Sequence, residues 1–175
     1  MPCLISAGIS TIPCRDNIPG ISKFYIANYQ DVTEVTNVDQ EVTAVTMSGS
    51  TVFYEFNVNP QSSSYSAAPT TDVANGVTTW TPTITAVFGK VDSSKSNLMK
   101  LLSTGNFVVI ALDRNNNAWL FGKTVASDTG VYVSGGEIAS GTSGTDLSGI
   151  SIEISGEQLY PPPLVDPTVL ADIIE

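Results

Sequence analysis

The sequence predicts a mainly β fold, a sandwich or barrel of antiparallel strands with one flanking α-helix, an extended loop and a C-terminal arm. Three observations predict it. Beyond residue 20 the chain runs in short alternating stretches of Val, Ile, Thr, Ser and aromatic residues, which suit a pleated, half-buried surface. These stretches are separated by clusters of Gly, Pro, Asn and Ser, the residues of turns. Only one stretch, near residues 93–105, has the apolar spacing of a helix. A length of 175 residues suits one domain, able to bury roughly 70% of its unfolded surface without a metal or disulfide staple. Residues 1–160 are read as that domain and residues 161–175 as the arm.

The elements follow in order. Lys23-Phe24-Tyr25-Ile26-Ala27-Asn28-Tyr29 reads as a first strand. Residues 41–47 and 51–58 read as a hairpin through Ser48-Gly49-Ser50, with Val42, Ala44 and Thr46 on one face and Val52, Tyr54 and Phe56 on another. Residues 60–76 are polar and rich in Ser, Thr and Pro, and are expected to form a projecting, partner-contacting loop. Residues 77–91 form a long strand in which Pro82 demands an edge or a bulge, because it donates no ladder hydrogen bond. In the helix, Ser93 or Ser94 is the expected N-cap, Leu98, Leu101 and Leu102 the apolar stripe, and Gly105 the left-handed C-terminal cap. On this reading Leu101→Asp unfolds the chain. Phe107-Val108-Val109-Ile110-Ala111-Leu112 is apolar throughout, as a strand covered on both faces would be. Residues 113–117 turn it into Ala118-Trp119-Leu120-Phe121-Gly122. Two more strands, residues 130–140 and 150–155, flank a Gly/Ser/Thr-rich segment. Tyr160-Pro161-Pro162-Pro163 begins a stiff spacer ending in a short acidic, helical piece, whose deletion is expected to leave a folded monomer that assembles poorly.

Composition narrows the chemistry. The chain has no His, which removes imidazole catalysis and His-ligated zinc. Its net charge of −10 argues against a sequence-reading nucleic-acid binder, which needs clustered Lys and Arg. No apolar run reaches the length of a membrane span, and residues 1–8 have neither the basic nor the apolar region of an export signal. The chain is therefore expected to stay in the compartment that makes it. Cys3 and Cys14 could close a loop disulfide; without an export signal, the reduced form is the default. Two thiols cannot complete a tetrahedral metal site.

The motifs resolve into turns and packing. Asp113-Arg114-Asn115-Asn116-Asn117 begins like a calcium loop, but Ala118 occupies the glycine position and Thr124 the position of the bidentate Glu, so a β-turn is expected. Gly122-Lys123-Thr124 ends like a phosphate-binding loop whose first glycine is replaced by Asn117, and no helix follows. Glu153 with Glu157, and Asp31 with Glu34, could act as acid and base only if a pocket held them. Trp80, Trp119, Tyr54 and Phe88 could line a ligand groove, though strand context favours packing. No catalytic, cofactor-binding or metal-binding set emerges, and no enzyme activity or cofactor is expected.

The order of features resembles the tail-tube-like or neck-ring-like virion structural proteins of phages that infect Bacteroidetes, including crAss-like phages. The likeness is carried by residues 14–29, from Cys14-Arg15-Asp16-Asn17-Ile18-Pro19-Gly20 to Asn28-Tyr29, and by Thr51-Val52-Phe53-Tyr54-Glu55-Phe56 and Asn75-Gly76. It continues through Val109-Ile110-Ala111-Leu112-Asp113-Arg114-Asn115, Leu120-Phe121-Gly122, Ser140-Gly141-Thr142 and Asp146-Leu147-Ser148-Gly149. It spans residues 12 to about 160. The family usually has a Gly in the turn after Asp113, where this chain reads Asn115-Asn116-Asn117. The resemblance implies a virion protein, assembled in the host cytoplasm, that homo-oligomerises into a ring of six or twelve copies or a tube. It would contact adjacent tail or neck proteins and let DNA pass its lumen without specific binding or any membrane. The alternative is a capsid-decorating or glycan-binding β-sandwich whose Trp80 and Tyr residues stack on sugars.

Overall fold

The structure is a computed structural model that describes Gly8 and residues 17–59, 61–125, 128–143, 146 and 148–174. Cys3 and Cys14, the start of the front motif (Cys14-Arg15-Asp16) and Leu147 lie outside the described residues. The chain is mainly β: the described residues form eleven strands in one hydrogen-bonded network, with two α-helices and a short 3-10 turn at Tyr29–Asp31.

The centre is β7 (Phe107–Asp113), flanked by β1 (Ile21–Asn28) and β8 (Ala118–Phe121), both antiparallel to it. Alternation along these strands makes two cores. Phe24, Ile26, Val109, Ala111 and Phe121 point to one side, and Tyr25, Ala27, Val108, Ile110 and Leu120 to the other. The all-apolar run 107–112 is thus covered on both faces, as expected, with Val109 and Ile110 fully buried on opposite sides. Each fully buried side chain of this size contributes roughly 1.5–3 kcal/mol, so the double-faced centre dominates folding.

The first core is closed by a second layer, β9 (Val131–Ala139), β10 (Gly149–Gly156), β6 (Val77–Gly89) and β5 (Ser64–Asp72), joined to β7 at Phe107 and Val131. Ile84, Ala86, Ile150, Ile152 and Ile154 alternate inward from it. Helix α1 (Ser93–Leu102) caps one end through Leu102. The second core is closed by the hairpin β2 (Val32–Val38) and β3 (Glu41–Met47), together with the C-terminal segment.

Several expectations change. The strand 41–47 pairs with β2, not with residues 51–58; its two-residue turn, Asp39-Gln40, holds both residues at positive φ. Such a turn normally advertises itself by Asn-Gly or Asp-Gly, and here no glycine marks it. The faces also differ from simple alternation, because Val42 is buried while Ala44 and Thr46 are exposed, and a register shift opposite Thr36 and Asn37 lets Val45 reach the core's edge. The other half, β4 (Tyr54–Asn57), instead pairs with β1.

Residues 60–76 are no loop. Apart from Pro60, which lies outside the described residues, they contribute β5, which forms a long hairpin with β6. Pro82 sits just past Thr83, the last β6 residue on the β10 ladder, so its missing donor breaks no bond there. Helix α1 is capped by Asp92, whose carboxylate accepts from Lys95 N at 2.8 Å, rather than by Ser93 or Ser94. Gly105 is not left-handed; the hydroxyls of Ser103 and Thr104 cap the last carbonyls, and a Cβ at Gly105 would meet the Phe107 ring at 2.7 Å. Leu101 is 59% exposed and Leu102 only 4%, so the unfolding expected of Leu101→Asp belongs to Leu102.

The C-terminal segment does not leave the core. After the prolines, β11 (Leu164–Val165) wedges between β3 and β8, and α2 (Pro167–Ile173) follows, N-capped by Asp166. Val165 and Ile173 are buried, and Phe53 N donates to Ile173 O at 2.8 Å. The proline run stiffens the crossing, but the apolar Leu164-Val165 pair and the Val169, Leu170 and Ile173 spacing of α2 have a core to join.

Candidate interaction surfaces

The polar motifs are absorbed by the fold. The Asp113 carboxylate accepts from Asn115 N and Asn117 N, each at 2.8 Å, and from Asn117 Nδ2 at 3.1 Å, the arrangement of a side-chain-supported turn. Asn116 takes positive φ. Asn115 then ties the turn to the chain before β1, accepting from Ile18 N at 2.9 Å and donating to Asn17 Oδ1 at 2.7 Å. These groups line a polar hollow of about 510 Å³ with Ser64 and Tyr65, and burial pushes the Tyr65 phenol above its ordinary pKa.

Lys123 is 8% exposed, and its Nζ donates to Val32 O while lying 4.6 Å from the Tyr29 ring centroid. Burial lowers its pKa. Asp128 Oδ2 accepts from Thr124 N and Thr124 Oγ1, both at 2.6 Å, and from Val125 N; its Oδ1 accepts from Leu159 N. Gln158 accepts from Gly122 N and donates to Tyr160 O. The Gly122-Lys123-Thr124 tripeptide is therefore a buried knot binding β8 to Tyr29, β2 and the C-terminal crossing, with the Lys123 ammonium, the Gly122 and Thr124 amides and the Thr124 hydroxyl all engaged within the fold.

The acidic pairs occupy no pocket together: Glu34 is exposed on β2, Asp31 accepts from Asn28 Nδ2 at 2.7 Å, and Glu153 and Glu157 are both exposed. Among the described residues no cluster of metal-ligating side chains occurs. Of the four aromatics, Tyr54 and Phe88 line one groove, Phe88 meeting Phe56 at 6.4 Å. Trp119 packs on Tyr65 at 6.1 Å, and Trp80 sits where the β5–β6 hairpin bridges Gln158.

What the fold leaves open are edges. Among the described residues β2, β4 and β5 each pair on one side only. Beyond the end of β10, β5 and β6 continue for six more pairs, from Ala67 with Pro82 to Asp72 with Val77, over about 20 Å; Trp80 exchanges backbone hydrogen bonds with Gln158, and past it the two strands run on as a two-stranded ribbon. Most of its residues are exposed. Its tip is rigid in design: the Asp72 carboxylate accepts from Ala74 N, Asn75 N and Asn75 Nδ2, which holds its pKa below the ordinary value, and Gly76 supplies positive φ.

At the other end β4 faces α1 across an apolar groove. All four β4 residues line it, so the strand's edge, not one face, is presented. From α1 come Lys95, Leu98, Met99 and Leu102, one helical stripe. Lys23 and Glu55 form an exposed ion pair at 2.9 Å beside it, the hydrogen bond lowering the Glu55 pKa and raising that of Lys23. Sequence reasoning missed this groove because the leucine stripe reads as core; only its excess over what one side of a ten-residue helix can bury hinted at it. The described basic residues gather elsewhere too: Lys90, Lys95 and Lys100 at α1, Lys23 on β1, Arg114 in the turn and Lys123 buried. None lies in β2, β3, β5, β6, β9 or β10. No helix among the described residues is long and apolar enough to cross a membrane. Comparison of the chain with family models, with curated proteins and with solved structures finds no match.

Proposed function

We propose that the chain is a non-enzymatic virion structural protein whose copies assemble through open strand edges into a ring or tube of a phage tail or neck, forming a conduit for DNA. The observation that carries this reading is the β5–β6 ribbon. Past the Trp80–Gln158 bridge the two strands are paired only with each other, which is marginal in water, and a ribbon extended beyond its sheet calls for a neighbouring surface to cover it. The open edges of β2 and β4 serve the same end, since ring closure consumes edges. Charge supports the conduit: six strands without a Lys or Arg offer a sliding polyanion no phosphate partners, in a chain of net charge −10. The resemblance of the front and turn motifs to tail-tube-like and neck-ring-like proteins points the same way.

Negative-stain electron microscopy and mass photometry across a concentration series test it. Closed rings or stacked tubes are expected. A particle that stays at the monomer mass at the highest concentrations would overturn it.

A further inference from the structure

The β4–α1 groove has the form of a strand-accepting site. Its floor continues into a second hollow lined by Ile26, Tyr54, Leu101, Thr104 and Phe107, and the two have volumes of about 450 and 420 Å³. Tyr54, Leu98 and Leu101 are 52%, 36% and 59% exposed along it. On one wall are the unpaired backbone groups of β4; on the other are the leucines of α1. A helix could satisfy the leucines but not the strand edge, so the matching occupant is an extended segment with one apolar face.

One stretch of this chain has that chemistry. Residues 1–14 carry no charged side chain, whereas the whole chain carries 17 acidic residues that make copies repel. Within it Ile5, Ala7 and Ile9 alternate with Ser6, Gly8 and Ser10, the period of a half-buried strand. Among the described residues nothing lies within 4 Å of where a side chain would begin on Gly8. The geometry points to residues 1–12 of a second copy as the occupant, adding as a strand to β4 with Ile5, Ala7 and Ile9 toward Leu98 and Leu101. This rests on the assembly reading above and names the contact that links neighbours.

The test uses the full chain, a variant lacking residues 1–12, and Leu98→Lys/Leu101→Lys, whose exposed positions and helix-compatible lysines preserve the fold, checked by circular dichroism. Should the deletion misfold, Ile5→Lys/Ile9→Lys in the full chain replaces it. Masses are read by mass photometry. The full chain is expected to assemble and each variant to remain monomeric. Mixing the two variants is expected to restore one-to-one pairs, since one keeps the groove and the other the segment. A labelled peptide of residues 1–12 is expected to bind the deletion variant and to lose at least about tenfold in affinity with the lysine pair. If both variants assemble like the full chain, the groove contact is overturned while the assembly reading stands. Loss of assembly with the lysine pair but not with the deletion overturns the occupant. A full chain that is monomeric at every concentration removes the assembly reading. If the peptide then binds the deletion variant but not the full chain, the segment fills its own groove, and the second-copy proposal falls.

Discussion

Two side chains show how a residue's role follows from its surroundings. Lys123 looks like a phosphate-loop lysine beside Gly122 and Thr124, yet it is buried against Tyr29 and the Val32 carbonyl. Burial disfavours its ammonium, so its folded pKa lies below the ordinary 10.5. Between that lowered value and 10.5 the unfolded chain binds more protons than the folded one, and stability attributable to Lys123 rises with pH through this window. Wild type is therefore expected to gain in Tm relative to Lys123→Met as pH is raised toward 10. The comparison cancels Tyr25 and Tyr65, whose phenols burial shifts upward. A difference in Tm that does not vary with pH would mean the amine is solvated. Gly136 makes a second case: it sits at φ 146 in β9, and a Cβ would collide with the Ser151 carbonyl across the ladder. Gly136→Ala is expected to cost about 1–3 kcal/mol in urea unfolding; an unchanged midpoint would show that β9 can shift to make room.

Elements that look peripheral in the sequence divide into one that holds the core and one that does not. The segment after the prolines holds it, because β11 bridges β3 and β8 and α2 brings Ile173 into the second core. Truncation after residue 160 is expected to abolish cooperative thermal unfolding, and Ile173→Ala to cost about 2–5 kcal/mol. A truncated chain melting like the full one would place the segment outside the cooperative unit. The β5–β6 ribbon is the opposite case. Replacing residues 70–79 with a short Asn-Gly turn between Pro69 and Trp80 removes mostly exposed residues and leaves the Trp80–Gln158 bridge and the β6–β10 ladder from Thr83 onward. A monomer with an unchanged Tm is expected from that variant, and a collapse in Tm would show that the ribbon supports the core.

At the scale of the whole molecule, two cores back to back on β1, β7 and β8 make a rigid centre, and everything left open lies at its margins: the ribbon, the β2 edge and the β4–α1 groove. Basic side chains concentrate near α1, away from most of the strands. Lowering the pH into the carboxylate range neutralises acidic side chains and weakens repulsion between copies, so assembly of the full chain, which has no His to titrate at higher pH, is expected to strengthen from about pH 7 to about pH 4.5 at low salt, read by sedimentation velocity, and to lose that dependence in high salt. Assembly that is equally strong in both pH and salt arms would mean that charge does not oppose it.

Much of this was legible without coordinates. Alternation and β-branched composition identified β1, β6, β7, β8, β9 and β10, because a strand's burial is written two residues at a time, and an unbroken run such as 107–112 has nowhere to be but between two layers. Pairing was not legible. Asp39-Gln40 closes a hairpin without a glycine to announce it, and only the tertiary structure sends residues 54–57 to β1 rather than to β3. Nor could spacing tell the buried Leu102 from the exposed Leu101, or a free tail from one that fills a gap between β3 and β8. Periodicity records which side of an element is apolar. What that side meets, and whether anything meets it at all, depends on contacts between residues far apart in the chain.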